Sequence, residues 1–345
     1  MREAQPPPPA PDRWAPPSSR HEGAGKPPRG PHLPGALLRW LPGLAVLVGI
    51  LVWVDGAELG ERLRNLSPGW VVLALLLSVV QVTVSAWRWK FTAARLGMRL
   101  PFRRALTEYY LAGFLNQVLP GGVVGDITRA WRHAGQDAPT GRAIRAVILE
   151  RASGQIIMTA VALASAGLIL ARVMETGAAE EEGMVLLQWL LTAAVTAVVV
   201  AAAGVVAYRF LQRRFRAEIR RALLAPRALP IQLGSSALVV ATYLAVYLAA
   251  ARALGVDTPT IVLLPLVAPV LVAMLIPVTV AGWGVREGAA ALIWAAVGLS
   301  ASEGVAISVA YGLLVLLSAL PGALVLLWSP LGRRTRGRFS GGPHS

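Results

Sequence analysis

Six apolar runs recur along this chain, and each is long enough, or nearly so, to cross a lipid bilayer. About 20 helical residues cover the roughly 30 Å of hydrocarbon, because an α-helix rises about 1.5 Å per residue. A composition with 55% hydrophobic and 15% charged residues is far from that of a soluble domain. The chain is therefore predicted to be an all-α polytopic membrane protein with spans at 36–54, 70–90, 145–171, 184–208, 232–254 and 303–328.

Two further apolar runs, 105–128 and 260–287, are each interrupted by proline and glycine. The first break reads LPGGVVGDITRA and the second reads IPVTVAGWGVRE. Both fit the pattern P-x4-G-x3-R, and proline and glycine permit a turn where a regular helix does not. The repeated pattern predicts a duplicated element whose turn residues are Pro120, Gly121 and Gly125 in the first copy and Pro277, Gly282 and Gly284 in the second.

The distribution of basic residues predicts the orientation. Most of the 33 Lys and Arg residues fall on one side if neither broken run crosses the membrane, and the positive-inside rule then makes both termini cytoplasmic. The broken runs become re-entrant hairpins that enter from opposite sides, although hydropathy alone would count eight spans. The halves 36–171 and 184–328 are thus predicted to be inverted repeats, as in many transporters.

The two ends of the chain differ in character from the region 36–330. Residues 1–35 are rich in Pro, Gly and charge and poor in apolar residues, so they are predicted to form a disordered cytoplasmic tail. An ordinary signal peptide has a much shorter segment before its apolar stretch, so 36–54 is interpreted as a span that is not cleaved off. Residues 331–345 form a basic cytoplasmic tail. Tryptophans near the ends of spans are interpreted as interface anchors, among them Trp87 and Trp89.

Charged residues within and beside the spans are candidates for binding an anionic group. Asp126 and Arg129 share a helix face and either pair locally or form an anion site with the Gly-rich turn. Asn116 and Gln117 precede the turn and are interpreted as caps for its broken backbone. Glu150 and Arg151 lie inside an apolar run, where charged groups face the protein interior or water.

The second break carries an external counterpart of this charged group. Trp283 is interpreted as an anchor, and Arg286 and Glu287 lie beside it. An arginine fork at this position could hold a phosphate group. The predicted head-group site therefore comprises Asp126, Arg129, Glu150, Arg151, Arg286 and Glu287.

Several classes of function are not expected. The chain has no cysteine and 4 histidines, most of them in the predicted tails, so no cofactor, metal site or catalytic triad is predicted and the chain is not expected to be an enzyme. The net charge of +15 is spread between the spans rather than over the surface of a soluble fold. Topology explains this charge better than nucleic-acid binding does.

The motifs FLNQVLPGGVVGDITRAWRH, ERASGQ and AMLIPVTVAGWGVREGAAALIWAAVGLS, in this order and followed by ALPGAL, resemble the lysylphosphatidylglycerol synthase transmembrane family. This family is also called flippase-like, and the resemblance covers roughly 40–330. It implies a relative of the lipid-translocating half of aminoacyl-phosphatidylglycerol synthases. Only a short basic segment follows Trp328, so lysyl transfer by a soluble domain is not expected.

The predicted function is translocation of a phospholipid or lipid-linked anionic head group in the cell membrane, or assistance to an enzyme that uses one. Membrane lipids and a lipid-modifying enzyme or glycosyltransferase are the predicted partners. Two alternatives stay open at this point. Asp126 and Glu150 could serve an ion-coupled transporter of a small solute, or the chain could be a scaffold without transport.

Overall fold

The computed structural model describes residues 56–119, 122–137, 139–176, 213–274 and 281–328. These ranges contain ten α-helices, and the sixth continues directly into a π-helical turn at Arg220–Leu224. The helices are α1 Gly56–Arg64, α2 Pro68–Arg95, α3 Phe102–Val118, α4 Val124–Asp137, α5 Thr140–Thr176, α6 Arg213–Ile219, α7 Leu229–Ala253, α8 Thr260–Ala273, α9 Val285–Ala296 and α10 Ala301–Trp328.

Four of the described helices, α2, α5, α7 and α10, are long and apolar enough to cross a membrane. They coincide with four of the predicted spans, which confirms an all-α polytopic membrane protein. The predicted spans 36–54 and 184–208 and the two predicted tails lie outside the described residues. Prolines set several of the helix starts: Pro68 opens α2, and α3 and α8 each begin directly after a proline.

Both predicted breaks separate two helices. In the first half α3 ends at Val118 and α4 begins at Val124, and in the second half α8 ends at Ala273 and α9 begins at Val285. Three predicted turn residues, Pro120, Gly121 and Pro277, lie outside the described residues. That each pair of helices returns to the side from which it entered stays a prediction.

The two halves pack on each other in a reciprocal way. The second predicted spans of the two halves, α2 and α7, pack against each other extensively. The interrupted helix α3 packs on α10 of the other half, and α8 packs in the same way on α5. The helices α2–α5 therefore occupy positions that correspond, in order, to those of α7–α10, as expected of a duplicated unit.

Two glycines allow the closest of these helix contacts. A Cβ atom at Gly322 of α10 would collide with the backbone oxygen of Tyr110 on α3. A Cβ atom at Gly125, at the start of α4, would collide with the backbone oxygen of Ala112 on α3. Small residues let helix backbones approach closely in membrane proteins. The first broken pair is therefore held tightly, within itself and against the last span.

Candidate functional site

Among the described residues of the first half, Arg129 on α4 is the most enclosed arginine, with 1% of its surface exposed. Its Nε donates to Asp126 Oδ1 at 2.9 Å, and its Nη2 donates to Glu150 Oε2 at 2.7 Å. The guanidinium carbon lies 4.7 Å from the ring centre of Trp89 and 4.5 Å from that of Tyr109. The predicted pairing of Asp126 with Arg129 across one helix turn is confirmed.

Trp89 is thus a correction to the sequence interpretation. It is fully buried, and its ring lies against the Arg129 guanidinium rather than at a membrane interface. Its neighbour Trp87 is exposed, as an interface anchor would be. Residues two apart on a helix point about 200° apart, so the two rings of a Trp-x-Trp pattern face nearly opposite sides, and the pattern does not reveal which ring faces outward.

Glu150 on α5 accepts bonds from three other helices. It is fully buried and receives Arg88 Nη2 of α2 at 2.6 Å on the same oxygen that accepts the Tyr109 hydroxyl of α3 at 3.2 Å. Its other oxygen binds Arg129 of α4. Arg88 also donates from Nη1 to Ser236 Oγ of α7 at 3.0 Å. One carboxylate therefore joins α2, α3, α4 and α5, and its arginine partner extends the network to α7.

Arg151 differs from the other arginines because 46% of its side chain is exposed. Its Nη2 donates to Asp126 Oδ2. The same Asp126 oxygen accepts Asn116 Nδ2 at 3.2 Å, and Asn116 Oδ1 accepts the backbone N–H of Gly125 at 2.8 Å. Asn116 therefore satisfies broken backbone at the start of α4, as predicted, and joins that backbone to the Arg151 pair. Gln117, the other predicted cap, is half-buried.

These five ionised groups, here called the first polar cluster, carry unequal charge: three arginines face two carboxylates. Buried charges are tolerated only when they are paired and hydrogen-bonded, and both carboxylates meet that condition with two arginines each. The cluster therefore has a net charge of +1, and Arg151 is its exposed member. The members are Arg88, Asp126, Arg129, Glu150 and Arg151.

The second half contains a smaller group, here called the second polar cluster, made of Arg286, Glu287 and Ser308. Arg286 Nη2 donates to Glu287 Oε1 at 2.6 Å, and its Nε donates to Ser308 Oγ of α10 at 2.9 Å. Glu287 Oε2 accepts the backbone N–H of Gly284 at 2.6 Å and so caps α9. The cluster is neutral and almost fully buried.

The two clusters share a pattern of aromatic rings over arginine. Trp283 lies 4.9 Å and Tyr311 5.2 Å from the Arg286 guanidinium carbon, measured to the ring centres. A Cβ atom at Gly312 would collide with the Arg286 guanidinium, so glycine leaves room for it. Trp283, interpreted as an anchor, packs inward on Arg286. Gly282 and Gly284 both have positive φ, +80° and +88°, which suits their predicted role as turn residues.

The structure brings the predicted site residues together as two groups, one in each half of the chain. Asp126, Arg129, Glu150 and Arg151 meet in the first cluster, and Arg286 meets Glu287 in the second. Sequence reasoning missed four contributors, and for one of them a signal existed: Arg88 lies inside the predicted span 70–90, where a charge is costly. The missed residues are Arg88, Tyr109, Ser236 and Ser308.

The described residues offer no group of three or more His, Cys, Asp or Glu side chains that could hold a metal ion. Within the first polar cluster, each carboxylate already binds two guanidinium groups. Chemically, the arrangement suits the binding of an anion at Arg151 better than the binding of a cation.

Comparison with known proteins identifies a matching family and a similar membrane protein. The family model of the lysylphosphatidylglycerol synthase TM region matches residues 40–322. A UPF0104 membrane protein of Methanocaldococcus jannaschii is 25% identical over 158 residues. The aligned part covers 45% of this chain and 45% of that protein, so it spans less than half the length of this curated relative.

Proposed function

The chain belongs to the lysylphosphatidylglycerol synthase transmembrane-region family, and from this premise we propose that it moves an anionic phospholipid or lipid-linked head group between membrane leaflets. The observation that carries the proposal is the excess positive charge of the first polar cluster, which reaches the protein surface at Arg151. A charge inside a membrane span is costly, so its presence there favours a functional contact. The phosphate of a lipid would neutralise this excess.

The buried members of the cluster are proposed to position Arg151 rather than to bind the head group themselves. Arg88 and Arg129 are almost fully enclosed and bind Glu150 at 2.6 and 2.7 Å. Asp126 holds Arg151 by an ion pair, so an arriving phosphate would share or replace one charge-assisted hydrogen bond instead of creating a new buried charge. Arg286 is neutralised by Glu287, and we propose a structural role for that pair.

The geometry supports a lipid head group over an ion-coupled solute. Coupling to a proton or metal cation needs a carboxylate that can give up its partner. Glu150 is bound by two arginines and a tyrosine hydroxyl, and Asp126 is bound by two arginines and an amide. A cation would have to displace these donors. An anion needs only to approach Arg151.

We further propose a cell-membrane location with both termini cytoplasmic, and transport without catalysis. The first is supported by the asymmetry of Lys and Arg along the sequence. The second is supported by the chemistry of the described clusters, in which arginine and carboxylate side chains bind each other. Membrane lipids are the proposed ligands.

A leaflet-exchange assay tests the proposal. Purified protein is reconstituted into vesicles that contain phosphatidylglycerol labelled with a fluorophore on its head group, and a membrane-impermeant reductant is then added. Protein-free vesicles lose only the fluorescence of the outer leaflet. We expect vesicles with the protein to lose nearly all of it. Bleaching that stops at the outer leaflet would contradict translocation and favour a scaffold role.

Substitutions of Arg151 test whether the exposed charge takes part. We expect Arg151→Ala to slow exchange severely and Arg151→Lys to slow it partly, because lysine keeps the charge but lacks the planar fork that binds phosphate oxygens in pairs. Arg220→Ala, at an exposed arginine of the π-helical turn, is the matched control and should exchange lipid normally. Equal rates for Arg151→Ala and the control would exclude Arg151 from the mechanism.

A further inference from the structure

The outward face of α4 is apolar, whereas its inward face is polar. Ile127 and Trp131 are 64% and 71% exposed and lie four residues apart on one stripe. Asp126 and Arg129 on the opposite face are buried. A helix on the surface of a water-soluble protein has the reverse arrangement. The surroundings of α4 are therefore expected to be hydrocarbon, and its polar face supplies the first polar cluster from inside.

The neighbouring helix α5 continues this apolar surface and interrupts it with one charge. Ile144 and Ile148 are exposed, and Arg151 lies on the same helix face, three residues beyond Ile148. About two turns further along this face, seven residues beyond Arg151, Met158 is buried against the core. Arg151 therefore stands at the inner end of an exposed apolar stripe, about 10 Å along the helix axis from Ile144 at 1.5 Å per residue.

The two stripes lie side by side. Helices α4 and α5 pack together across a short connection, and the contacts Asp126–Arg151 and Arg129–Glu150 join them. Ile127 follows Asp126 directly and so lies near the level of Arg151. Together the helices present one surface, here called the lipid face, which consists of Ile127, Trp131, Ile144, Ile148 and Arg151.

We propose that the lipid face binds one anionic phospholipid from the side, with the phosphate against Arg151 and the acyl chains along the apolar side chains. Charge complementarity selects the occupant, because the first polar cluster has a net charge of +1 and Arg151 is its exposed member. The apolar residues around Arg151 add a surface on which lipid chains bury apolar area. This inference rests on the proposed function for its ligand. The inference adds the route by which the lipid enters. The lipid moves laterally from the bilayer to Arg151, which lies further along α5 than Ile144 and Ile148.

Photo-crosslinking tests the lipid face. The full chain is reconstituted in phosphatidylcholine vesicles with a small fraction of phosphatidylglycerol that carries a photoreactive acyl chain, and labelled peptides are identified by mass spectrometry. We expect labelling within residues 123–156, suppressed by unlabelled phosphatidylglycerol and unaffected by water-soluble glycerol 3-phosphate. Equal labelling by a phosphatidylcholine with the same photoreactive chain would mean an unselective lipid belt, and suppression by glycerol 3-phosphate would mean a head-group site without a chain surface. Either result would overturn the proposal.

Variants separate the charge from the apolar stripe. Arg151→Gln should weaken labelling about tenfold, because it removes hydrogen bonds between charged groups, while Arg151→Lys should retain part of it and Arg220→Gln all of it. The double variant Ile127→Asn, Ile148→Asn should also reduce labelling, whereas Leu317→Asn on the exposed face of α10 should not. Unchanged labelling in Arg151→Gln, or an equal loss in Leu317→Asn, would contradict the assigned surface.

Binding and translocation can fail independently. Selective labelling without leaflet exchange would leave the lipid face standing and refute the proposed transport. Leaflet exchange without selective labelling would support the proposed transport and refute the lipid face. Both measurements use the same reconstituted chain, so a variant that fails to insert is recognised by its loss from the vesicles.

Discussion

Glu150→Gln should be among the most destabilising single substitutions in the chain, although it changes only a few atoms. The native carboxylate accepts Arg88 Nε at 3.1 Å, Arg88 Nη2 at 2.6 Å, Arg129 Nη2 at 2.7 Å and the Tyr109 hydroxyl at 3.2 Å. An amide keeps one acceptor oxygen and turns an NH2 group toward a second donor. Two buried guanidinium groups then share one neutral acceptor.

The expected magnitude follows from the burial of the cluster. Removing one partner of a buried ion pair costs about 3–5 kcal/mol, because the remaining charge stays out of water. With about 2–4 °C lost per kcal/mol, the apparent Tm should fall by about 6–20 °C. The partly exposed pair of Arg145 with Glu218 provides the comparison. Glu218→Gln should cost about 1 kcal/mol or less, since water already surrounds part of that pair.

The assay is thermal unfolding of the detergent-purified protein, followed by intrinsic tryptophan fluorescence. A second variant tests the charge argument: Arg88→Gln added to Glu150→Gln removes one positive charge and should recover part of the lost Tm. The reasoning would be refuted if Glu150→Gln lowered the Tm no more than Glu218→Gln does. It would also be refuted if the double variant were less stable than Glu150→Gln alone.

Three further predictions concern packing and topology. Gly125→Ala should destabilise the protein because its methyl group collides with the α3 backbone, whereas Gly113→Ala in open space should stabilise it by up to about 1 kcal/mol; Tm measurements compare them. Gly312→Ala should displace the guanidinium of the second polar cluster and lower the Tm. A cysteine introduced at Thr258 should react with an impermeant thiol reagent added outside, and one at Gln136 should not. Labelling at Gln136 would mean that the first broken segment crosses the membrane.

The helices could be predicted because the membrane imposes a simple rule on them. A span must be long, apolar and helical, so composition alone located α2, α5, α7 and α10. The two breaks were equally visible, because proline and glycine are conspicuous inside apolar runs. The packing of each broken pair on the other half could not be predicted. Neither α3 nor α10 has a sequence pattern that identifies the other as its neighbour, and their contact depends on Gly322, one of 34 glycines in the chain.

Sequence could predict which residues belong to the candidate site better than it could predict their arrangement. Asp126, Arg129, Glu150 and Arg151 stood out as charges within or beside apolar runs, and they do meet. Sequence could not rank them, because adjacent residues on a helix face different surroundings. Glu150 is fully buried while Arg151 is half exposed. Only the packing of α4 on α5 reveals which arginine is available to a ligand.

The packing of α3 on α10 has a consequence for how the protein is made. Roughly 180 residues separate these helices, and synthesis at about 5–20 residues per second leaves α3 without its final neighbour for about 10 to 40 seconds. During that interval the surface that will meet Gly322 must be covered by the insertion machinery or by lipid. The first broken pair therefore completes its packing only when the ribosome has delivered the last span, and a nascent chain stalled before α10 should be recognised as unfinished by membrane proteases.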